Sequence, residues 1–304
     1  MIFKMKKIVI IGGTNHDIFA YAHHSIKLND SNPGYLKEAF GGVGRNIAEN
    51  IARLKLNPTL ITAIGSDDVG KRIIKSGSKI GIDFDIIETS KTPSYLAVLD
   101  EHKDMYVSIA AMDELEQISL EQMKEKESII KQADLLIVDT NFNSEILKYV
   151  FDIAQAPIYV EAISTNKAQK IKPFYHKIHM LKMNLIEAKT LSNLECKTYE
   201  DIKHIGSFFH SQSVKEVFIT MGKKGAYYYD GSTHHFSKSV KTNILNTTGA
   251  GDAFFAGVIF AQINQLNPLS CGIAASIITL HAEEAVSTLM NPDLLIKTMK
   301  EYQL

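Results

Sequence analysis

A chain of 304 residues, 45% hydrophobic and 22% charged, can bury one large α/β core or two smaller ones, and its 18 Gly and 7 Pro are too few for a collagen-like or disordered polymer. Its 33 basic residues balance 34 acidic ones, so there is no strong basic field to hold a nucleic-acid backbone, and no nucleic-acid partner is expected. The longest clean apolar run, Ala253–Ala261, is well short of the roughly 20 residues a membrane span needs, so no membrane partner is expected either.

The start, MIFKMKK followed by IVII, looks superficially like a signal peptide. The apolar stretch is too short and Gly12-Gly13 follows at once, so a buried strand over Lys7–Ile11 is the better reading. Val43–Leu54 reads as a helix, with Ile47, Ile51 and Leu54 at spacings of four and three. Strand Leu60–Ile64 and helix Val69–Ile80 follow, then strand Asp134–Asp139, helix Ser144–Ile153 and strand Pro157–Glu161. A weaker strand over Lys177–Leu181 leads to helix Leu185–Leu191. Strand Glu216–Met221 precedes a pair, Ala226–Tyr229 and Thr233–Phe236, joined across Asp230-Gly231. After Gly249 the pattern is helical nearly to the end. This alternation predicts an α/β fold, a mostly parallel sheet covered by helices on both faces.

Two stretches interrupt the alternation. Tyr21–Phe40 carries the turn cluster Asp30-Ser31-Asn32-Pro33-Gly34 between short extended pieces. Ser94–Asp100 and Met105–Ala110 form a hairpin around Glu101–Asp104. A small β-lid over about 16–41 and 91–111, set on the edge of a single domain spanning 1–304, accounts for both. The charged run Lys124–Lys126 reads as a solvated helix face. Cys196 and Cys271 lie far apart without CxxC spacing, which predicts reduced thiols in a cytoplasmic protein.

The most informative stretch is Asn246-Thr247-Thr248-Gly249-Ala250-Gly251-Asp252, running directly into an apolar helix. Glycines let the backbone turn tightly and a ligand approach closely. The first helical amides lack partners and sit at the positive end of the helix dipole, which suits a phosphate. A carboxylate at that point would repel a simple anion. It makes sense as a general base taking a proton from an attacking hydroxyl. Asp252 is therefore assigned as the base and the Gly249, Ala250 and Gly251 amides as an anion hole. The alternative is a first-turn acid favoured only by the dipole. No GxxxxGK[ST] occurs, and Gly12-Gly13-Thr14-Asn15 is not GxGxxG, so neither a Walker A loop nor a nicotinamide fold is indicated.

Two distant motifs, Gly41-Gly42-Val43-Gly44-Arg45-Asn46-Ile47-Ala48 and the segment ending at Asp252, together resemble the ribokinase-like (PfkB) carbohydrate kinases. Asn184-Leu185-Ile186-Glu187 is similar to that family's NxxE motif, and Thr220-Met221-Gly222-Lys223-Lys224-Gly225 to its nucleotide-side loop. The resemblance spans essentially the whole chain. It implies a ribokinase-like three-layer α/β/α fold and ATP-dependent phosphorylation of a sugar or nucleoside hydroxyl. A narrower likeness, carried by Asp30–Gly34, Gly41–Ala48, Ser94-Tyr95-Leu96, Asn246–Ala253 and Asn291–Leu294, points to a branch acting on the ribose 5′-hydroxyl of a C-glycosidic nucleoside. It also implies a homodimer through the lid. The family more often has an acid where Asn246 stands, an acid that helps hold a monovalent cation, so potassium activation is left open. Glu161 stands where related kinases tend to have Asp.

The residues support the same chemistry. Asn15 and Asp17 follow the first strand at its carboxyl end, where α/β sheets bind ligands, and combine donors and acceptors suited to ribose hydroxyls. An Asx turn is their alternative reading. Gly41 and Gly42 permit close sugar approach, and Arg45 and Asn46 complete the substrate set. Asn184 and Glu187 share a helix face and could hold Mg²⁺ through water, or form a capping box, or both. Lys182, just before, is placed to add positive charge near the phosphates. Thr220, Gly222, Gly225, Gly249 and Gly251 form the expected nucleotide side. In the lid, Ser94, Tyr106 and Ser108 are candidates to read the base. A kinase for another nucleoside or a free sugar remains the alternative, and a non-catalytic nucleoside sensor the alternative of another class. The sensor would be expected to lack Asp252 or Glu187, and both are present. His23-His24 and His234-His235 are poor metal sites because neighbours on a strand face opposite ways. Tyr227–Tyr229 reads as hairpin packing and Cys271 as core.

Overall fold

The computed structural model describes residues 6–304, so the first five residues of the signal-like start lie outside it. β1 (Ile8–Ile11) leads into β2 (Asn15–Ala22) and β3 (Gly34–Gly41). Next come α1 (Val43–Arg53), β4 (Thr59–Gly65), α2 (Asp68–Lys79) and β5 (Asp83–Thr89), then the hairpin β6 (Ser94–Leu99) and β7 (Met105–Ala111). Short helices α3 (Asp113–Glu116), α4 (Leu120–Lys124) and α5 (Glu127–Lys131) precede β8 (Leu135–Asp139), α6 (Ser144–Ile153) and β9 (Ile158–Glu161). α7 (Thr165–Ala168) and a 3-10 segment, Gln169–Lys177, lead to β10 (Ile178–Asn184), α8 (Leu185–Ser192), α9 (Tyr199–Ser211) and β11 (Glu216–Thr220). β12 (Ala226–Tyr229) and β13 (His234–Ser237) pair, and α10 (Ala250–Asn264), α11 (Pro268–Leu280) and α12 (Pro292–Glu301) follow.

Nine strands form one sheet in the order β13-β12-β11-β10-β9-β8-β1-β4-β5. It is parallel except at β12 and β13, which join antiparallel through a tight hairpin. The central strands are apolar on both faces because helices cover both. Val9, Ile11, Leu136 and Val138 pack into one core with α6 and α9, while Ile8, Ile10, Leu135 and Ile137 pack into the other with α1, α10 and α11. A fully buried side chain of this size contributes roughly 1.5–3 kcal/mol, so α10, whose Phe254, Phe255, Val258 and Ile259 are all buried, is held chiefly by packing. Cys271 and Tyr227 are buried in these cores. Among the described residues no helix is long and apolar enough to cross a membrane.

The second sheet has four strands in the order β3-β2-β6-β7. Asn15 starts β2 and pairs with Gly41, so the sheet springs from the point where β1 ends and returns to the start of α1. The extended pieces expected on either side of Asp30–Gly34 belong to two eight-residue antiparallel strands, the first of which begins at Asn15, well before the expected stretch. Strand β5 and helix α9 were not expected. Lys126 is also no solvated residue. Its ammonium reaches Asp85 at 2.7 Å and the Ile86 carbonyl at 2.9 Å, because the link between α4 and α5 crosses β5.

Candidate active site

Asp252 sits in the first turn of α10, preceded by Gly249 at φ 76° with no side chain capping the helix. A Cβ on Gly249 would fall 1.9 Å from the Ala285 carbonyl oxygen, so only glycine can open this helix. The Ala250 amide leans back on the Thr247 carbonyl at 3.4 Å, which places the open end of the amide cluster at Gly251 and Asp252. The Asp252 carboxylate is buried and accepts a 2.9 Å hydrogen bond from the Asn46 side chain on α1. Burial pushes its pKa up to about 6, against the opposing pull of the Lys182 ammonium and the Asn46 amide.

A second polar group lies where β1, β2 and α1 meet. The Asn15 amide donates to Asp17 at 2.6 Å. Gly41 faces them so closely that a Cβ there would lie 2.0 Å from the Asp17 carboxylate. Burial raises the Asp17 pKa, with Asn15 opposing. Gly42 precedes α1 at φ 96°, and a Cβ there would strike the Gly13 carbonyl at 2.4 Å. Arg45 is largely committed elsewhere. It donates to the Phe40 carbonyl at 2.7 Å and to Glu49 at 2.6 Å, tying β3 to α1. Its influence on Asp17 is electrostatic.

The residue that fixes this corner was missed. Asp139, at the carboxyl end of β8, accepts from the Gly13 amide at 2.8 Å, the Gly44 amide at 3.0 Å and the Asn141 side chain at 3.0 Å. One buried carboxylate thus joins β1, β8 and the first turn of α1, where the dipole favours it. The signal was an acid ending an otherwise apolar central strand, DLLIVD.

On the far side of Gly251 lies a cavity of about 310 Å³, lined by Thr220, Gly222, Gly225, Ala250, Gly251 and apolar residues of α10 and α11 such as Phe254 and Ile277. The structure therefore brings the expected nucleotide-side residues together with the start of α10. Asn184 and Glu187 form a full capping box. The Asn184 oxygen accepts from the Ile186 and Glu187 amides, each at 2.9 Å, and Glu187 accepts from the Asn184 amide at 2.8 Å. Burial raises the Glu187 pKa. Glu161 pairs with Lys182, and its second oxygen is buried without a partner. Among the described residues no three His, Cys, Asp or Glu side chains converge to grip a metal directly. The Glu187 carboxylate, with Asn184 beside it, suits a hydrated Mg²⁺, whose contact runs through waters. Asn246 spends its side chain on the loop, donating to the Glu283 carbonyl at 2.8 Å and accepting from the Thr248 amide at 2.9 Å.

The lid candidates divide. Ser94 pairs in register with His16, which puts it on the face opposite Asp17, and it donates to the Thr92 carbonyl at 3.1 Å. Ser108 pairs with Ala97, on the Asp17 side, and Tyr106 is exposed.

A three-layer fold with these strand connections is the ribokinase-like class of α/β protein. A family model described as pfkB family carbohydrate kinase matches residues 5–277, and the chain belongs to that family. It is similar to the pseudouridine kinase of Escherichia coli strain K12, 37% identical over 256 residues that cover 83% of this chain and 82% of that one. A carbohydrate kinase structure from Agrobacterium tumefaciens superposes with a TM-score of 0.86 at 25% identity, covering 97% of each chain. The Arabidopsis thaliana ribokinase structure, complexed with ribose and ATP, has the same fold, with a TM-score of 0.84 at 19% identity over 98% of this chain and 99% of that one.

Proposed function

We propose that this kinase transfers the γ-phosphoryl group of ATP to the ribose 5′-hydroxyl of pseudouridine. The observation that carries the reading is the buried Asp252 carboxylate at the glycine-opened start of α10. Its neighbours Ala250 and Gly251 line the cavity at Gly222–Gly225, and Asn46 donates to it from α1, the helix that follows the Gly41 packed on Asp17. The 37% identical relative supports the substrate.

In this reading adenine enters the apolar cavity and the triphosphate runs toward Gly251. Asn15 and Asp17 take the ribose hydroxyls, with Gly41 and Gly42 giving room for the sugar. Asn46 holds Asp252 in place. Asp252 accepts the 5′-hydroxyl proton as that oxygen bonds to Pγ. The Pγ–Oβ bond breaks and ADP leaves. The α10 amides stabilise charge on the transferring group. Bound Mg²⁺ would neutralise phosphate charge, with Glu187 and Asn184 as its water-mediated partners. No step uses potassium. The four-stranded sheet closes over the nucleoside and excludes water. Its exposed apolar residues Leu36, Val107 and Ile109 support contact with a second copy, giving a homodimer.

The test is phosphate transfer from ATP measured over pseudouridine, uridine, adenosine, ribose and fructose. The highest kcat/KM is expected for pseudouridine. A clear preference for another acceptor would replace the substrate and keep the enzyme class. Thermal stabilisation by nucleosides without any turnover would instead favour a sensor.

A further inference from the structure

We propose that Lys182 is the group that tells a nucleoside triphosphate from a diphosphate, and that Glu161 is its positioning residue. The inference rests on the kinase reading above and deepens it at one side chain.

Residues 161 and 182 are cross-strand neighbours on β9 and β10. They end two rows that are otherwise apolar on that face, since Tyr159 and Met180, two residues earlier on each strand, pack with Phe218 in the core under α10. A charged pair there is not needed for packing. A buried ion pair generally stabilises no better than apolar side chains of similar volume. Both side chains are almost fully buried, at 4% and 6% exposure.

The pair is aimed. The Lys182 ammonium lies against Gly251, so close that a Cβ at 251 would fall 2.9 Å from it. Gly251 both lines the nucleotide cavity and belongs to the first turn of α10. The ammonium therefore stands where the end of a triphosphate chain meets the helix amides. One donor bond goes to Glu161, and no second carboxylate is within ion-pair distance among the described residues. The other oxygen of Glu161 is buried with no partner, an open polar position beside the pair. An ammonium has three donors, so Lys182 keeps capacity for an anion beyond Glu161. The γ-phosphate, present in ATP and absent in ADP, is that anion, while the free Glu161 oxygen, an acceptor, takes a donor such as water.

The geometry also assigns the division of labour. The lysine chain is flexible and its ammonium is a point charge. Glu161 holds that charge at the mouth of the amide cluster before nucleotide arrives. Lys182 keeps its proton throughout, and contributes a charge-assisted hydrogen bond to the group in flight.

The experiment titrates protein calorimetrically with Mg²⁺-ADP and with Mg²⁺-bound β,γ-imido ATP, which carries a γ-phosphate but does not transfer it. The informative variant is Glu161→Gln with Lys182→Met, which leaves no unpaired buried charge. Its affinity for the imido analogue should fall about 10- to 100-fold, the scale of a lost charged hydrogen bond. Its ADP affinity should hardly change, so the triphosphate preference of the wild type disappears. A folded double variant that keeps the wild-type ratio of the two affinities overturns the proposal. Equal loss for both nucleotides does too, since that marks a structural role. Should the double variant fail to fold, Glu161→Gln alone is expected to lower the ratio, and an unchanged ratio there overturns the proposal. A wild type that binds neither nucleotide would sink the kinase reading and this inference with it, an outcome distinct from binding that ignores the γ-phosphate.

Discussion

Asp252 carries a thermodynamic cost that can be measured apart from catalysis. Its folded-state pKa is about 6 against an ordinary 3.8, chiefly because burial disfavours the charge. Folding therefore favours the protonated form. The associated stability is complete below the unfolded value and is lost as pH rises through about 6. At pH 7.5 Asp252→Asn is expected to be more stable than the wild type by up to about 3 kcal/mol, with the difference vanishing near pH 4. Chemical denaturation at the two pH values checks this. The same substitution should lower kcat by about 10²–10⁴-fold while nucleoside and nucleotide affinities hold, because a proton acceptor is lost and no binding group is. Near wild-type turnover would remove Asp252 from the base role. In the wild type, kcat/KM should fall about tenfold per pH unit below roughly 6, where the base becomes protonated. An acid limb near pH 4 would place the essential base elsewhere.

At the scale of elements, α1 is the part most exposed to a single change. Its first turn carries Asn46 toward Asp252 and is pinned by Asp139 and by the bend at Gly42. Gly42→Ala must place a Cβ at φ 96° and 2.4 Å from the Gly13 carbonyl. The expected loss is about 1–3 kcal/mol of stability, with a further loss of activity because Asn46 moves with the helix. A melting temperature and KM both at wild-type values would show that the turn is not rigidly required. Some of this was legible in the sequence. Strands β1 and β8 announce themselves as unbroken apolar runs because both their faces are buried. The start of α10 is legible because Gly-Ala-Gly-Asp before an apolar run has few structural uses. Strand β5 was not legible, since Asp83, Asp85 and Glu88 interrupt an edge strand that needs cover on fewer sides. Helix α9 was missed although Thr198 and Asp201 form a capping box at its start. Asp139, and the pairing of Glu161 with Lys182, depend on which strands lie side by side, and residue spacing carries no record of that order.

Across the whole molecule, the sheet order gathers charge that the sequence disperses. Asp139, Glu161, Glu187 and Asp252 come from β8, β9, α8 and α10, and Asp252 feels both Asp139 and Glu187 as repulsion. Lys182 opposes them, held up in pKa by Glu161, Asp252 and Glu187 even though burial alone would lower it. A triphosphate entering this field meets more negative charge than positive. Like charges about 4 Å apart cost about 4 kcal/mol each at an effective dielectric of 20, more than one ammonium and a helix start can offset. Free ATP should therefore bind poorly, and the Mg²⁺ complex well. In thermal melts, ATP with Mg²⁺ near 100 times its dissociation constant should add about 2.7 kcal/mol of stability. EDTA should abolish that shift. The shift produced by nucleoside alone should survive EDTA, because the proposed role of Asn15 and Asp17, holding neutral hydroxyls, needs no divalent ion. Equal stabilisation by ATP with and without the metal would mean that the carboxylates do not face the triphosphate, and the placement of its γ end beside Gly251 would fail with it.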